Sequence, residues 1–182
     1  MDNLANILTV ARLALLPFIV LLLFFDAAWT AWTALALYLA GAATDWLDGW
    51  VARAFNQVSD FGRLMDPISD KVFVMTILMM LVADGRIQGV LVLAVIVILI
   101  REFIVAGLRE FLGPRNIVLP VTRLAKWKTT VQMVAAGFLI MAPVSFRAEV
   151  AGQLLLCAAA VMTAVTGWDY IRTAWRHIGP RS

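Results

Sequence analysis

Gly89-Val-Leu-Val-Leu-Ala-Val-Ile-Val-Ile-Leu-Ile100 is a run of twelve residues with no charge and no side-chain hydrogen-bonding group. Val72–Ala83, Leu13–Phe25 and Ala27–Thr44 are equally free of charge. A helix needs ~20 mainly apolar residues to cross the hydrocarbon core of a bilayer, and several of these runs reach that length with their flanks. Backbone groups in lipid must be bonded internally, so only helices or closed barrels can span. The runs lack the alternation of a barrel strand. They predict an all-α membrane protein with six transmembrane helices, at about 7–26, 29–53, 65–84, 87–111, 127–145 and 149–175, behind a short N-terminal juxtamembrane segment.

Composition agrees. The 182 residues are 63% hydrophobic and 15% charged, against about 45–50% and about 25% in a soluble domain. No linker or low-complexity stretch interrupts them, so a single membrane domain over 1–182 is expected. Leu13–Phe25 followed by Ala27-Ala28 has the length of a signal-peptide core. The preceding residues carry Asp2 and only Arg12, and further spans follow at once, so a retained first helix is expected. The lone Cys157 sits in an apolar run and is expected to be a small packed side chain, and His177 a surface histidine.

Charge predicts the orientation. Six spans put the N-terminus, the connections near 53–65 and 111–127, and the C-terminus on one side. Those segments hold most of the Lys and Arg, including Arg53, Arg63, Lys71, Arg115, Arg123, Lys126, Lys128, Arg172 and Arg176. The turns near 26–29, 84–87 and 145–149 hold only Arg86 and Arg147, beside Asp26, Asp84 and Glu149. Positive charge stays in the cytoplasm. Both termini are therefore expected there, in a multi-pass protein of the inner (cytoplasmic) membrane. The net charge of +3 suits contact with anionic lipid headgroups.

The stretch that carries chemistry is Asp45-Trp-Leu-Asp48-Gly49-Trp-Val-Ala52-Arg53, then eight residues, then Gly62-Arg-Leu-Met-Asp66-Pro-Ile-Ser-Asp70-Lys71. Spacings of three and four put each aspartate pair on one helical face. Four carboxylates at a membrane boundary repel one another, and burying unpaired charge is expensive. A bound divalent cation resolves the conflict, and all-oxygen ligands favour Mg²⁺, Mn²⁺ or Ca²⁺. Four aspartates can bridge two ions, as phosphoryl-transfer sites do. A charge belt paired with Arg53, Arg63 and Lys71 would account for some of these aspartates. It does not account for both matched pairs with Gly49, Ala52 and Gly62 between them, which leave room for close backbone approach.

The pattern D-x-x-D-G-x-x-A-R-x8-G-x-x-x-D-x-x-x-D resembles the signature of the CDP-alcohol phosphatidyltransferases, with all eight fixed positions filled. The resemblance implies six transmembrane helices, a homodimer and a site opening to the cytoplasm. It implies that Asp45, Asp48, Asp66 and Asp70 ligate Mg²⁺ or Mn²⁺, two ions per chain, with Asp70 also the general base. Asp48, Gly49, Ala52, Arg53, Gly62 and Asp66 would line the pocket for CDP-diacylglycerol.

Within that family the chain resembles the phosphatidylglycerophosphate synthases. The resemblance lies in Asn3-Leu-Ala-Asn6-Ile-Leu-Thr9-Val-Ala-Arg12, in Arg101-Glu102 with Gly107-Leu108-Arg109-Glu110, and in Lys126-Trp-Lys128-Thr129-Thr130-Val-Gln132. Ala5 stands where that group often has Pro, and Ala125 where Gly is usual. The implied acceptor is glycerol-3-phosphate. Arg101, Arg109, Lys126 and Lys128 form a basic set suited to its phosphate, since Arg gives forked contacts to phosphate. Arg101, deep in an apolar helix, is functional by default; the alternative is a structural ion pair with Glu102 or a neighbouring helix. Trp127, Trp168 and Trp175 read as interface anchors.

The expected reaction joins CDP-diacylglycerol to glycerol-3-phosphate, giving phosphatidylglycerophosphate and CMP in phospholipid biosynthesis. Membrane lipids are the expected surroundings, and no nucleic-acid partner is expected. The nearest rival keeps the chemistry with inositol phosphate, serine or phosphatidylglycerol as acceptor. A prenyl transferase would show a longer chain and a second distant aspartate motif. A divalent-cation transporter would use acidic residues along its path, but these aspartates cluster toward one face.

Overall fold

The computed structural model describes residues 4–55, 60–113, 117 and 122–178, and the side chains of all of these but 4–5, 45–55, 60, 61, 63 and 176–178. Six helices and no strand occur among the described residues: α1 (Leu4–Leu23), α2 (Ala28–Phe55), α3 (Asp60–Ala83), α4 (Leu91–Leu112), α5 (Arg123–Ile140) and α6 (Phe146–Ile178). The protein is an all-α membrane protein. Three helices contain stretches long and apolar enough to cross a bilayer, Asn6–Leu23, Leu91–Leu112 and Phe146–Trp175. In α2, α3 and α5 the apolar run is shortened by Asp45 and Asp48, by Asp60 to Lys71, and by Arg123 to Lys128.

The helix limits differ from the hydropathy reading. Helix α3 begins at Asp60, five residues early, so Gly62 is a buried helical position. Helix α4 begins at Leu91 instead of 87, because Gly85 and Gly89 take positive φ (78° and 56°) in the preceding turn. Helix α5 runs earlier than expected, and α6 starts at Phe146.

The chain forms two compact units. The first comprises Met1–Ile87 and Ala136–Gly152. In it α1 packs on α2 and α3, burying Ile19 and Leu23 completely. Tyr38 stacks on Phe73 with ring centroids 5.7 Å apart. The Phe73 ring lies on Gly41, where a Cβ would stand 2.5 Å away. Buried Arg86 gathers helix ends here. It donates to the carbonyls of Ile140 (2.8 Å) and Leu23 (3.4 Å), the last residues of α5 and α1. It also pairs with Asp84 at 2.5 Å and Asp26 at 3.7 Å. A cation at helix C-termini meets the negative ends of their dipoles.

The second unit comprises Gln88–Ala135 and Gln153–Ser182. Its apolar cluster joins Val105 and Leu112 of α4, Ala125 of α5, and Tyr170 and Ala174 of α6. Threonine hydroxyls along the helices bond carbonyls three or four residues back, as at Thr129 and Thr163, which satisfies them without water. Cys157 is exposed, not packed as expected: an apolar run does not distinguish exposed from buried positions. The side chain of His177 lies outside the described ones.

Candidate active site

In the first unit, α3 carries Asp66 and Asp70 one turn apart, Asp66 exposed and Asp70 half-buried. Fully buried Thr9 reaches across from α1 and donates from its hydroxyl to Asp66 Oδ1 at 2.9 Å. The Ser69 hydroxyl donates to the Asp66 carbonyl. Lys71 donates to the Pro67 carbonyl at 3.2 Å. Asp45, Asp48, Gly49, Ala52 and Arg53 fall on α2, and their side chains lie outside the described ones, as does that of Arg63.

The donor set fits a hard divalent cation. Asp66 and Asp70 are carboxylates on one face of α3. Among the described residues the bond from Thr9 uses one acceptor position of Asp66, and a carboxylate has about four. An oxygen-only set of this kind suits Mg²⁺ or Mn²⁺.

In the second unit, three of the four basic residues singled out from sequence come together. Glu102 accepts from Arg101 Nη1 at 3.2 Å and from Lys128 Nζ across from α5. Arg101 and Lys128 are both buried. The Arg101 guanidinium lies 5.2 Å from the Tyr170 ring centroid. Arg109 lies 5.5 Å from the same centroid and donates to the Tyr170 hydroxyl at 3.2 Å. Lys126 is exposed and shares none of these contacts. The ion pair of Arg101 with Glu102 is therefore real, and it belongs to a larger group that carries more positive than negative charge. Small residues of α6 leave a cleft of about 210 Å³ beside the Arg101 stem, lined also by Val97, Thr163, Gly167 and Trp168.

Sequence reasoning missed Thr9 as a partner of Asp66, Glu102 as a bridge, and Tyr170. A signal for Tyr170 existed: a tyrosine among the apolar residues of a helix needs a partner for its hydroxyl.

The sequence profile of the family described as CDP-alcohol phosphatidyltransferase matches residues 2–166. The chain belongs to that family. Members depend in general on divalent cations, consistent with the oxygen donors of α3. The chain is 38% identical to a protein of Cereibacter sphaeroides, over 94% of this chain and 95% of that one. It is 37% identical to a protein of Rickettsia typhi, over 94% and 97%, and 37% identical to one of Escherichia coli, over 94% of each. All three relatives are named CDP-diacylglycerol–glycerol-3-phosphate 3-phosphatidyltransferase.

Proposed function

We propose that this phosphatidyltransferase moves the phosphatidyl group of CDP-diacylglycerol onto glycerol-3-phosphate, giving phosphatidylglycerophosphate and CMP. The observation that carries the acceptor is the group of Arg101, Lys128 and Arg109, in which buried Arg101 and Lys128 share the Glu102 carboxylate and exposed Arg109 meets Tyr170. Excess positive charge inside apolar helices suits an acceptor that brings a phosphate; serine brings none. The name shared by relatives that cover nearly the whole chain supports the same acceptor.

In this reading Asp45, Asp48, Asp66 and Asp70 hold Mg²⁺ or Mn²⁺. A cation bound there supplies charge stabilisation to the diphosphate of the donor. Asp48, Gly49, Ala52, Arg53, Gly62 and Asp66 line the donor pocket. Asp70 accepts the proton of a glycerol-3-phosphate hydroxyl. That oxygen forms a bond to the phosphorus bearing diacylglycerol, and the bond from this phosphorus to the oxygen of CMP breaks. Arg101, Arg109 and Lys128 hold the acceptor's phosphate, with Lys126 a further cation on α5.

One membrane domain over the whole chain, six spans, two ions, a homodimer and cytoplasmic termini belong to the same reading. They rest on the family resemblance and on the skewed distribution of Lys and Arg. Arg86, which runs against that distribution, is neutralised by Asp84 and Asp26.

The test is an acceptor panel with the detergent-solubilised full chain and CDP-diacylglycerol, read as CMP release. Glycerol-3-phosphate is expected to be used far better than serine, inositol phosphate or phosphatidylglycerol. Preference for any of the others reassigns the acceptor.

A further inference from the structure

We propose that Tyr170 is a positioning residue for the acceptor: its ring and hydroxyl hold the Arg101 and Arg109 guanidinium groups where they receive the phosphate of glycerol-3-phosphate. The inference rests on the reading of this basic group as the acceptor's phosphate site.

Arg101 and Arg109 leave α4 at points about 12 Å apart along its axis, from eight residues at a ~1.5 Å rise. Both nonetheless meet one ring, at 5.2 and 5.5 Å from its centroid. The negative face of an aromatic ring attracts guanidinium groups, more strongly where water is excluded. Tyr170 is 4% exposed and Arg101 9%, so water is excluded from that contact, while Arg109 is exposed. The hydroxyl adds the bond from Arg109 Nη2. One side chain of α6 thus restrains two long side chains of α4 that would otherwise sample many rotamers.

The way Arg101 is held leaves one edge of its guanidinium without a hydrogen bond among the described residues. Its Nη1 is committed to Glu102, and its face lies against Tyr170. Its Nε and Nη2 are buried with no hydrogen-bond partner among the described residues. Nε and Nη2 form one edge of the guanidinium, the fork that grips two oxygens of a phosphate. A ring holds a guanidinium without consuming its N–H donors, which a second carboxylate would do. Gly167, one turn before Tyr170, lets the Arg101 stem lie against α6: a Cβ there would come within 2.8 Å of Arg101 Cγ.

The test is steady-state CMP release from the full chain, with each substrate varied in turn. Tyr170→Leu is expected to raise the KM for glycerol-3-phosphate about tenfold or more, and that for CDP-diacylglycerol less than about twofold. Tyr170→Phe keeps the ring and is expected to restore most of the loss. Phenylalanine at 170 with one, two and three ring fluorines keeps the shape while weakening the ring's negative face. The acceptor KM is expected to climb along that series, which decides the matter even if Tyr170→Leu does not fold. A flat series, or equal rises in both KM values, overturns the proposal. Arg101→Ala and Arg109→Ala separate the two levels. If they raise the acceptor KM while the fluorinated series stays flat, the positioning role alone fails. If neither moves it, the acceptor site itself is misassigned.

Discussion

The Thr9 hydroxyl on α1 donates to Asp66 Oδ1 on α3 over 2.9 Å, which ties the first helix to a carboxylate of the proposed metal site. Orienting partners of metal ligands typically change metal affinity about 10–100-fold when removed. Thr9→Val keeps the shape and removes the donor. It is expected to raise the Mg²⁺ or Mn²⁺ needed for half-maximal CMP release by about tenfold or more, while Thr9→Ser stays near the parent. Identical metal titrations for Thr9→Val and the parent would mean that Asp66 does not work through this bond.

Asp70 is assigned two tasks, and Asp70→Asn separates them. Asparagine keeps an oxygen that can face a cation but cannot take the acceptor's proton. Turnover is expected to fall by ~10²–10⁴, the usual worth of a general base. CDP-diacylglycerol binding, measured by equilibrium titration, is expected to change much less. Retained turnover removes Asp70 as the base.

Glu102 should matter more to stability than Lys128. Glu102→Ala leaves Arg101 and Lys128 buried together without their carboxylate, a loss of about 3–5 kcal/mol for a broken buried pair. Lys128→Met leaves the Arg101–Glu102 pair intact and is expected to cost less. Thermal unfolding in detergent gives the order; a lower Tm for Lys128→Met contradicts it.

Arg86 gives a pH-dependent prediction. Burial pushes the Asp84 carboxyl above its ordinary range, while Arg86 pulls it down and Asp26 adds to the rise. A carboxyl raised in the folded state contributes stability below its unfolded pKa and loses it as pH rises through the folded value. Arg86→Met removes the main opposing influence and is expected to be destabilised more at pH 8 than at pH 5. Adding Asp84→Asn is expected to recover part of the loss at pH 8. Equal loss at both pH values would leave only the carbonyl bonds to Leu23 and Ile140 as the role of Arg86.

The membrane fold was legible because lipid imposes one demand, and runs such as Gly89–Ile100 meet it visibly. Helix limits were less legible, because helices extend beyond their apolar runs wherever protein buries polar side chains. Thr9 and Arg12 in α1 and Lys128 and Gln132 in α5 are all buried. The shared face of Asp66 and Asp70 was legible because their spacing is local and follows from helical period alone. Tyr170 was not, since it meets Arg109 from 61 residues away, and no periodicity encodes such a pairing. Lys126 and Lys128 looked alike in sequence; two residues of helix rotation leave one exposed and bury the other.

The most direct measurement follows one oxygen atom. The full chain is incubated with CDP-diacylglycerol and glycerol-3-phosphate carrying ¹⁸O in its hydroxyl groups, and both products are examined by mass spectrometry. Attack of the acceptor hydroxyl on the phosphorus bearing diacylglycerol places the label in phosphatidylglycerophosphate and leaves CMP unlabelled, with one CMP formed per lipid product. Labelled glycerol joined to the nucleotide, with phosphatidic acid released, would mean that the other phosphorus is attacked and that the phosphatidyl-transfer account is wrong.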